Sequence, residues 1–412
     1  MVNLEQNILY ISFDGMTDPL GQSQVLPYIF KLSKTYKIHL ISFEKKDRFQ
    51  QEKDLIYNLC EKNNIEWHPI SYSTSFKGFS SLYNIKKMFN KAEKLQKRHH
   101  FKIIHCRSYI SALVGLKFKR KYNTRFLFDM RGFWTDERVE GKIWNLQNPI
   151  HKLAYRYFKK KEKAYFQESD AIVSLTNNGK EEILSWQLNN VFDAKITVIP
   201  CCVDIEFFVP NKVEKEEVDA LKAKLGINEK EYVLGYVGSI GTWYMLSEML
   251  DYFKVLSEQV ENTKLVFITT ESKEKIKPLV QEKGIPEDKV IVTKCLHKDV
   301  PKYISTFDSS VFFIQPTYSK KASSPTKQGE LMAMGIPVVC NTGVGDTDEV
   351  IKTYESGVLV NDFTEEAYKK AVLEVIDTNF DKEAIKQGAS MVYGLDKGVA
   401  SYFNIYKRLI NG

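Results

Sequence analysis

A chain of 412 residues, 43% apolar and 27% charged, is long enough for two globular domains of roughly 200 residues each and too apolar to be disordered. Its net charge of +7 is uneven: residues 1–200 carry 33 Lys and Arg against 20 Asp and Glu, whereas the remainder carries 26 against 32. No apolar run reaches the roughly 18 residues of a membrane span, no basic and apolar leader opens the chain, and the six Cys include no C-x-x-C pair. These features predict a cytoplasmic protein without a disulfide framework or a zinc-finger site.

In chain order, apolar runs at 8–13, 37–43, 102–106, 125–130, 171–175 and 196–200 read as strands of a first half. Those at 232–238, 264–269, 289–293, 310–315, 336–339 and 357–360 read as strands of a second. Helical-period segments separate them, which predicts two α/β, Rossmann-like doubly wound parallel sheets facing across a cleft. The boundary is expected between Pro210 and Glu231, giving domains 1–210 and 211–394, with 395–412 a helix returning to the first. Basic runs at 84–102, 117–125 and 151–163 suit anionic lipid headgroups or an anionic polymer, or are solvated helix faces. No recognition motif accompanies them, so nucleic acid is set aside as a partner.

Ligands of such sheets bind beyond the carboxyl ends of the strands, so the turns there are the places to search. Four stand out: DGMTDPLGQSQ (14–24), DMRGFWTDERVEG (129–141), GSIGTWY (238–244) and SSPTKQGELMAMG (323–335). The last reads as a helix with Ser324 at the N-cap, Pro325 in the first helical position and Gly335 as the stop. The amides of Thr326 and Lys327 would then point out of the helix start beside the Lys327 ammonium, a combination that favours an anion.

The chain resembles the retaining glycosyltransferases of GT-B fold, group 1 or GT4-like type. The resemblance rests on LGQSQVLPYIFKLS, ESDAIVSLTNNGKEEIL, VIPCCVDIEFFVP, YVGSIG and GELMAMGIPVVCNTGVGDTDEVI, which occur in the family's order. It implies a nucleotide-sugar donor held mainly by the second domain and an acceptor held mainly by the first. Glu330 matches the family Glu that binds the ribose hydroxyls, a role that suits a carboxylate facing a diol. The earlier Glu of that motif is replaced by Ala322, and the usual Arg and Lys after the first strand of this domain are absent. Ser239 and Tyr244 stand in that turn instead. Lys327 is therefore expected to neutralise the diphosphate, with Ser324, Thr326, Gly238, Ser239 and Thr242 around the donor.

Gly21 is expected to let the diphosphate approach the backbone, and Gly329 either does the same or packs tightly. Arg131 stands where many members keep a His and takes a charge or positioning role, since a guanidinium is a poor proton acceptor, or else pairs with Asp129 or Asp136. Asp136, Trp134 and Arg107 are expected acceptor contacts. Trp243 is a further stacking candidate, and His105 has either a cleft or a structural role. The implied activity is a metal-independent glycosyltransferase of hexosyltransferase type, with a nucleoside-diphosphate-sugar as donor substrate and no cofactor. Its acceptor would be a glycan or lipid-diphosphate-linked hydroxyl in surface polysaccharide synthesis, at the inner face of a membrane. A nucleotide-sugar 2-epimerase of similar fold and a non-catalytic scaffold are the rival readings.

Overall fold

The structure is a computed structural model that describes residues 6–73 and 80–412. Its contacts divide the chain into two units, one running to Pro200 and including Leu395–Gly412, the other Cys201–Gly394. The first contains β1 (Asn7–Ser12), β2 (Lys37–Glu44), β3 (Ile65–Ser71), β4 (Ile103–Arg107), β5 (Arg125–Asp129), β6 (Ala171–Ser174) and β7 (Ile196–Val198). They form one parallel sheet in the order β3-β2-β1-β4-β5-β6-β7. The second contains β8 (Tyr232–Val237), β9 (Thr263–Ile268), β10 (Val290–Thr293), β11 (Ser309–Phe312), β12 (Val338–Asn341) and β13 (Gly357–Val360), in the order β10-β9-β8-β11-β12-β13. All its pairings are parallel. Each unit is thus a doubly wound sheet whose chain starts in the middle and reverses direction, the Rossmann-like order. Together they are the two-sheet GT-B fold that the resemblance implies.

The strands are buried runs because helices cover both faces of a parallel sheet. β3 is the strand that the apolar pattern does not reveal, since Glu66, His68 and Pro69 interrupt it. It lies at the sheet edge, where a proline costs no ladder bond on the open side.

The units part at Pro200 rather than between Pro210 and Glu231. Residues 201–210 go with the second unit because Val203 donates its N–H to Tyr393 O at 2.7 Å and, with Phe208, enters that unit's core. The terminal helix Leu395–Asn411 belongs to the first unit. Its Tyr402 and Tyr406 rings meet Tyr28 and Tyr36 edge-on, and Arg408 donates to Ala194 O.

The expected helix start needs correction. The helix is Thr326–Ala333, with Pro325 itself at the N-cap and no side chain capping it. Ser324 Oγ instead accepts from Cys201 N at 3.1 Å, tying the helix start to residues 201–210. Gly335 does end the helix. Its φ of +70° lets Ile336 N reach back to Leu331 O at 3.0 Å, the six-to-one closure of a Schellman turn. Gly329 packs against protein: a Cβ there would lie 2.9 Å from Tyr393 Cβ and 3.2 Å from Val203. Of its two sequence readings, tight packing is the one the structure contains.

Candidate active site

In the second unit, the turn after β8 and the start of the helix Thr326–Ala333 meet at the carboxyl edge of the sheet. β8 ends at Val237, and Gly238 turns the chain with φ +116° while donating its N–H to Ile268 O. The following segment folds back so that Tyr244 bridges Ile314 beyond β11. Lys327 lies under this turn. Its ammonium is 3.9 Å from the centre of the Tyr236 ring and 3.6 Å from that of Tyr244, and a Cβ at Gly238 would stand 3.3 Å from it. Glycine at 238 therefore has two causes: the left-handed backbone and the room that Lys327 occupies.

Lys327 is 6% exposed, and its Nζ has no hydrogen-bond acceptor. Two aromatic faces compensate a desolvated cation by about 2 kcal/mol or somewhat more, whereas burying an ammonium costs several. The residual cost appears as titration. Burial pushes the Lys327 pKa well below the ordinary ammonium range, with Glu330 opposing. Burial also pushes the half-buried Glu330 up to about 7, with Lys327 opposing. Next in sequence, Gln328 is fully buried with neither amide atom bonded. Buried polar groups without partners are rare enough that two neighbouring ones at one helix start make it a candidate site for a polar ligand.

Around this centre, Thr326 is half-buried, while Ser239 and Thr242 are exposed on the turn. Tyr236 Oη donates to Ser239 O at 2.6 Å and so fixes the turn over Lys327. Ala322, where the resemblance calls for Glu, is fully buried. Trp243 has one ring face covered by Lys320 Nζ at 3.7 Å, which leaves at most its other face for stacking.

In the first unit, parallel register aligns Ser12, Arg107 and Asp129 at the carboxyl edge of β1, β4 and β5. Arg107 is 4% exposed, its Nε 3.8 Å from Asp14 and without a hydrogen-bond acceptor. Arg131 follows β5 in a left-handed conformation (φ +58°), its guanidinium 3.9 Å from Asp129. Asp129 accepts from Tyr402 Oη at 2.9 Å and lies 3.4 Å from His105 Nε2, whose Nδ1 meets Tyr406 Oη at 2.7 Å. Burial alone would raise Asp129, but Arg131, His105 and Arg107 hold it below the ordinary carboxylate range. His105 is thus a buried link between the terminal helix and the base of the Arg131 turn.

Three expected residues have other work. Within the stretch read as a turn, residues 134–140 form a helix, and Asp136 gives both carboxylate oxygens to the neighbouring helix, accepting from Tyr155 Oη and Lys159 Nζ at 2.9 Å each. Trp134 packs among Tyr109, Trp144 and Phe158, with Arg138 over its ring at 4.9 Å. Gly21 is the third residue of the helix Pro19–Gln24. A Cβ there would lie 2.1 Å from Gly15 O, so its missing side chain admits backbone, not ligand. The residues that sequence reasoning missed are Tyr236, read only as part of a strand, and Gln328. Their signal lay in the alternation of β8 and in the helix register, but only packing shows what they face.

With this geometry in view, the comparisons decide the family. The model for glycosyl transferases group 1 matches residues 217–391, and that for glycosyltransferase family 4 matches residues 32–207. The chain belongs to the GT4-like group 1 glycosyltransferases. It is 23% identical over 341 residues to an uncharacterised glycosyltransferase of Methanocaldococcus jannaschii, covering 80% of this chain and 81% of that one. Among solved structures, sucrose-phosphate synthase from Thermosynechococcus elongatus aligns over 98% of this glycosyltransferase and 99% of its own chain, with TM-score 0.73 and 14% identity. Anabaena HepE in complex with UDP-glucose aligns over 98% and 99%, with TM-score 0.70 and 10% identity.

The unpaired ammonium has a consequence for stability. Lys327→Met keeps the length of the side chain and its contact with the two tyrosines while removing the buried charge. It is expected to raise the melting temperature of the ligand-free glycosyltransferase by about 2–4 °C, the effect of roughly 1 kcal/mol in a domain of this size. Thermal unfolding followed by circular dichroism reads this directly, and a fall of similar size would mean the ammonium stabilises the fold.

Proposed function

We propose that this glycosyltransferase moves a hexosyl group, with retention of configuration, from a nucleoside-diphosphate-sugar to a hydroxyl of a glycan or lipid-diphosphate-linked acceptor. The observation that carries the reading is the Lys327 ammonium, buried without an acceptor at the start of a helix. As the glycosidic bond breaks, charge accumulates on the diphosphate. A preplaced cation with the amides of Thr326 and Lys327 and the hydroxyls of Ser239 and Thr242 stabilises that charge most where it is largest. Lys327 takes the place of a divalent ion in this scheme, which makes the reaction metal-independent. Glu330, one helical turn on, accepts from the ribose hydroxyls. Retention follows if a departing phosphate oxygen takes the proton of the incoming hydroxyl on the same face, a route that needs no carboxylate dyad. Arg131 and Arg107 supply positive charge for the acceptor side. The likeness to HepE, solved with UDP and with UDP-glucose, makes uracil the first base to test.

A surface polysaccharide acceptor on a lipid carrier would bring the enzyme to the cytoplasmic face of a membrane, and the first unit carries a surface suited to it. In the helix Pro149–Glu168, Ile150, Leu153 and Tyr157 lie on one face and are 75%, 70% and 46% exposed. Ile143 and Leu146 are exposed just before it, and Lys142, Lys152, Arg156, Lys160 and Lys163 are exposed beside them. An apolar stripe flanked by cations is the pattern of a helix lying in an anionic lipid interface. No helix among the described residues is long and apolar enough to cross a membrane.

Titration with UDP should give binding that falls at least ~10-fold in Lys327→Met, the loss of a charge-assisted contact to phosphate, while Glu330→Gln should weaken UDP but leave inorganic diphosphate unaffected. Absence of binding by any nucleoside diphosphate at millimolar concentration would favour a scaffold, and donor breakdown to free nucleotide without an acceptor would favour the epimerase. Separately, sedimentation with vesicles should show binding to phosphatidylglycerol-containing but not to neutral lipid, weakened by salt and lost in the Ile150→Asp, Leu153→Asp double variant. Equal sedimentation of that variant would remove the stripe from the membrane surface.

A further inference from the structure

At the opposite end of the first sheet from Arg107 and Arg131, three histidines and a carboxylate converge. Parallel register sets His39 of β2 opposite Glu66 of β3, and strand alternation puts His68 on the same face as Glu66. His99 closes the group as the last residue of the helix Ser80–His99, its ring centre 4.1 Å from that of His39. His39 Nδ1 lies 3.2 Å from Glu66 Oε2 and 3.4 Å from His68 Nε2, and these last two atoms are 3.9 Å apart. Ligand atoms of His39, Glu66 and His99 also lie within 4.8 Å of one another.

We propose that His39, Glu66 and His68 form a binding site for a divalent transition-metal ion of the zinc type, with His99 close enough to His39 and Glu66 to turn toward the same ion. Three atoms sharing one Zn²⁺ at ~2.0–2.1 Å in tetrahedral geometry stand about 3.3 Å apart, so a point roughly 2 Å from all three exists here without moving the backbone. The ligand set of imidazoles and one carboxylate is the type that selects zinc and its neighbours over magnesium or calcium. Lys37 approaches the other oxygen of Glu66, Oε1, at 3.4 Å, leaving Oε2 to the imidazoles. With Nδ1 on the ion, the fully buried His39 would keep its proton on Nε2, which has no hydrogen-bond partner.

The ion would fasten the edge strand β3, which has a sheet neighbour on one side only, to β2 and to the end of the helix Ser80–His99. Ligand sites of these sheets lie at the carboxyl ends of the strands, whereas His39, Glu66 and His68 stand toward the amino ends of β2 and β3. The site is therefore a brace of the first unit, independent of the donor chemistry proposed for the second. No spacing rule discloses it, because its ligands come from two strands and a distant helix end.

The test uses the full chain without a histidine tag. Added Co²⁺ should give the intense visible absorption of a tetrahedral site at one equivalent, displaced by Zn²⁺, and Zn²⁺ should raise the melting temperature while Mg²⁺ does not. Glu66→Gln and His68→Ala should each weaken Co²⁺ binding at least ~10-fold. Since His39 is buried and its replacement could unfold the sheet, the more exposed His99→Gln is the third variant, with far-ultraviolet circular dichroism confirming its fold. A weak octahedral spectrum, or a tetrahedral one unchanged in folded Glu66→Gln and His68→Ala, overturns the proposal.

Discussion

An ammonium held between two tyrosine rings, with no oxygen to accept its hydrogens, governs the second unit. Keeping Lys327 there requires Gly238 to turn without a side chain, Tyr236 to hold that turn through Ser239, and Tyr244 to be pinned against Ile314. It also requires the helix Thr326–Ala333 to start where it does, which the Ser324 link to Cys201 sets. The aromatic pair recovers part of the desolvation cost and leaves the rest, so the ligand-free site is poised to gain from an anion. Proteins commonly forgo stability where a polar ligand is to be bound, and the adjacent bare amide of Gln328 points the same way.

The first unit solves the inverse problem. Here most of the buried charge is engaged: Tyr402 of the terminal helix donates to Asp129 directly, His105 links Tyr406 to the same carboxylate, and Arg131 lies beside it, while Arg107 Nε keeps no acceptor. The helix Leu395–Asn411 thereby reaches the base of the Arg131 turn, an influence that sequence distance conceals. The same economy engages both carboxylate oxygens of Asp136 in helix packing and sets Trp134 in an aromatic cluster.

Apolar runs fall wherever a strand is covered on both faces, so every strand but β3 was legible from its residues. β3 was not, because an edge position tolerates Glu66, His68 and Pro69. Punctuation by Pro325 and Gly335 located the helix Thr326–Ala333, and the lysine in its first turn was visible as a residue without an ordinary structural reason. Its partners were not visible, since Tyr236 and Tyr244 meet it only through the fold-back of the turn after β8. Ser324 misled because serine before proline reads as an N-cap, whereas its hydroxyl bonds a segment more than a hundred residues away. Gly21 misled because a glycine beside a helix start reads equally as room for phosphate and as room for backbone.

The central claim is that the donor diphosphate completes the pairing of Lys327, and proton linkage tests it most directly. Burial holds the ammonium well below its ordinary range in the ligand-free enzyme, and an anion beside it must raise it again. At about pH 8.5 the Glu330 carboxyl, pushed up only to about 7, is already ionised and contributes little. Calorimetric titration with UDP in buffers of different ionisation enthalpy should then show net proton uptake, absent in Lys327→Met. Binding without proton uptake, or uptake that persists in Lys327→Met, would contradict the assignment of Lys327 to the diphosphate.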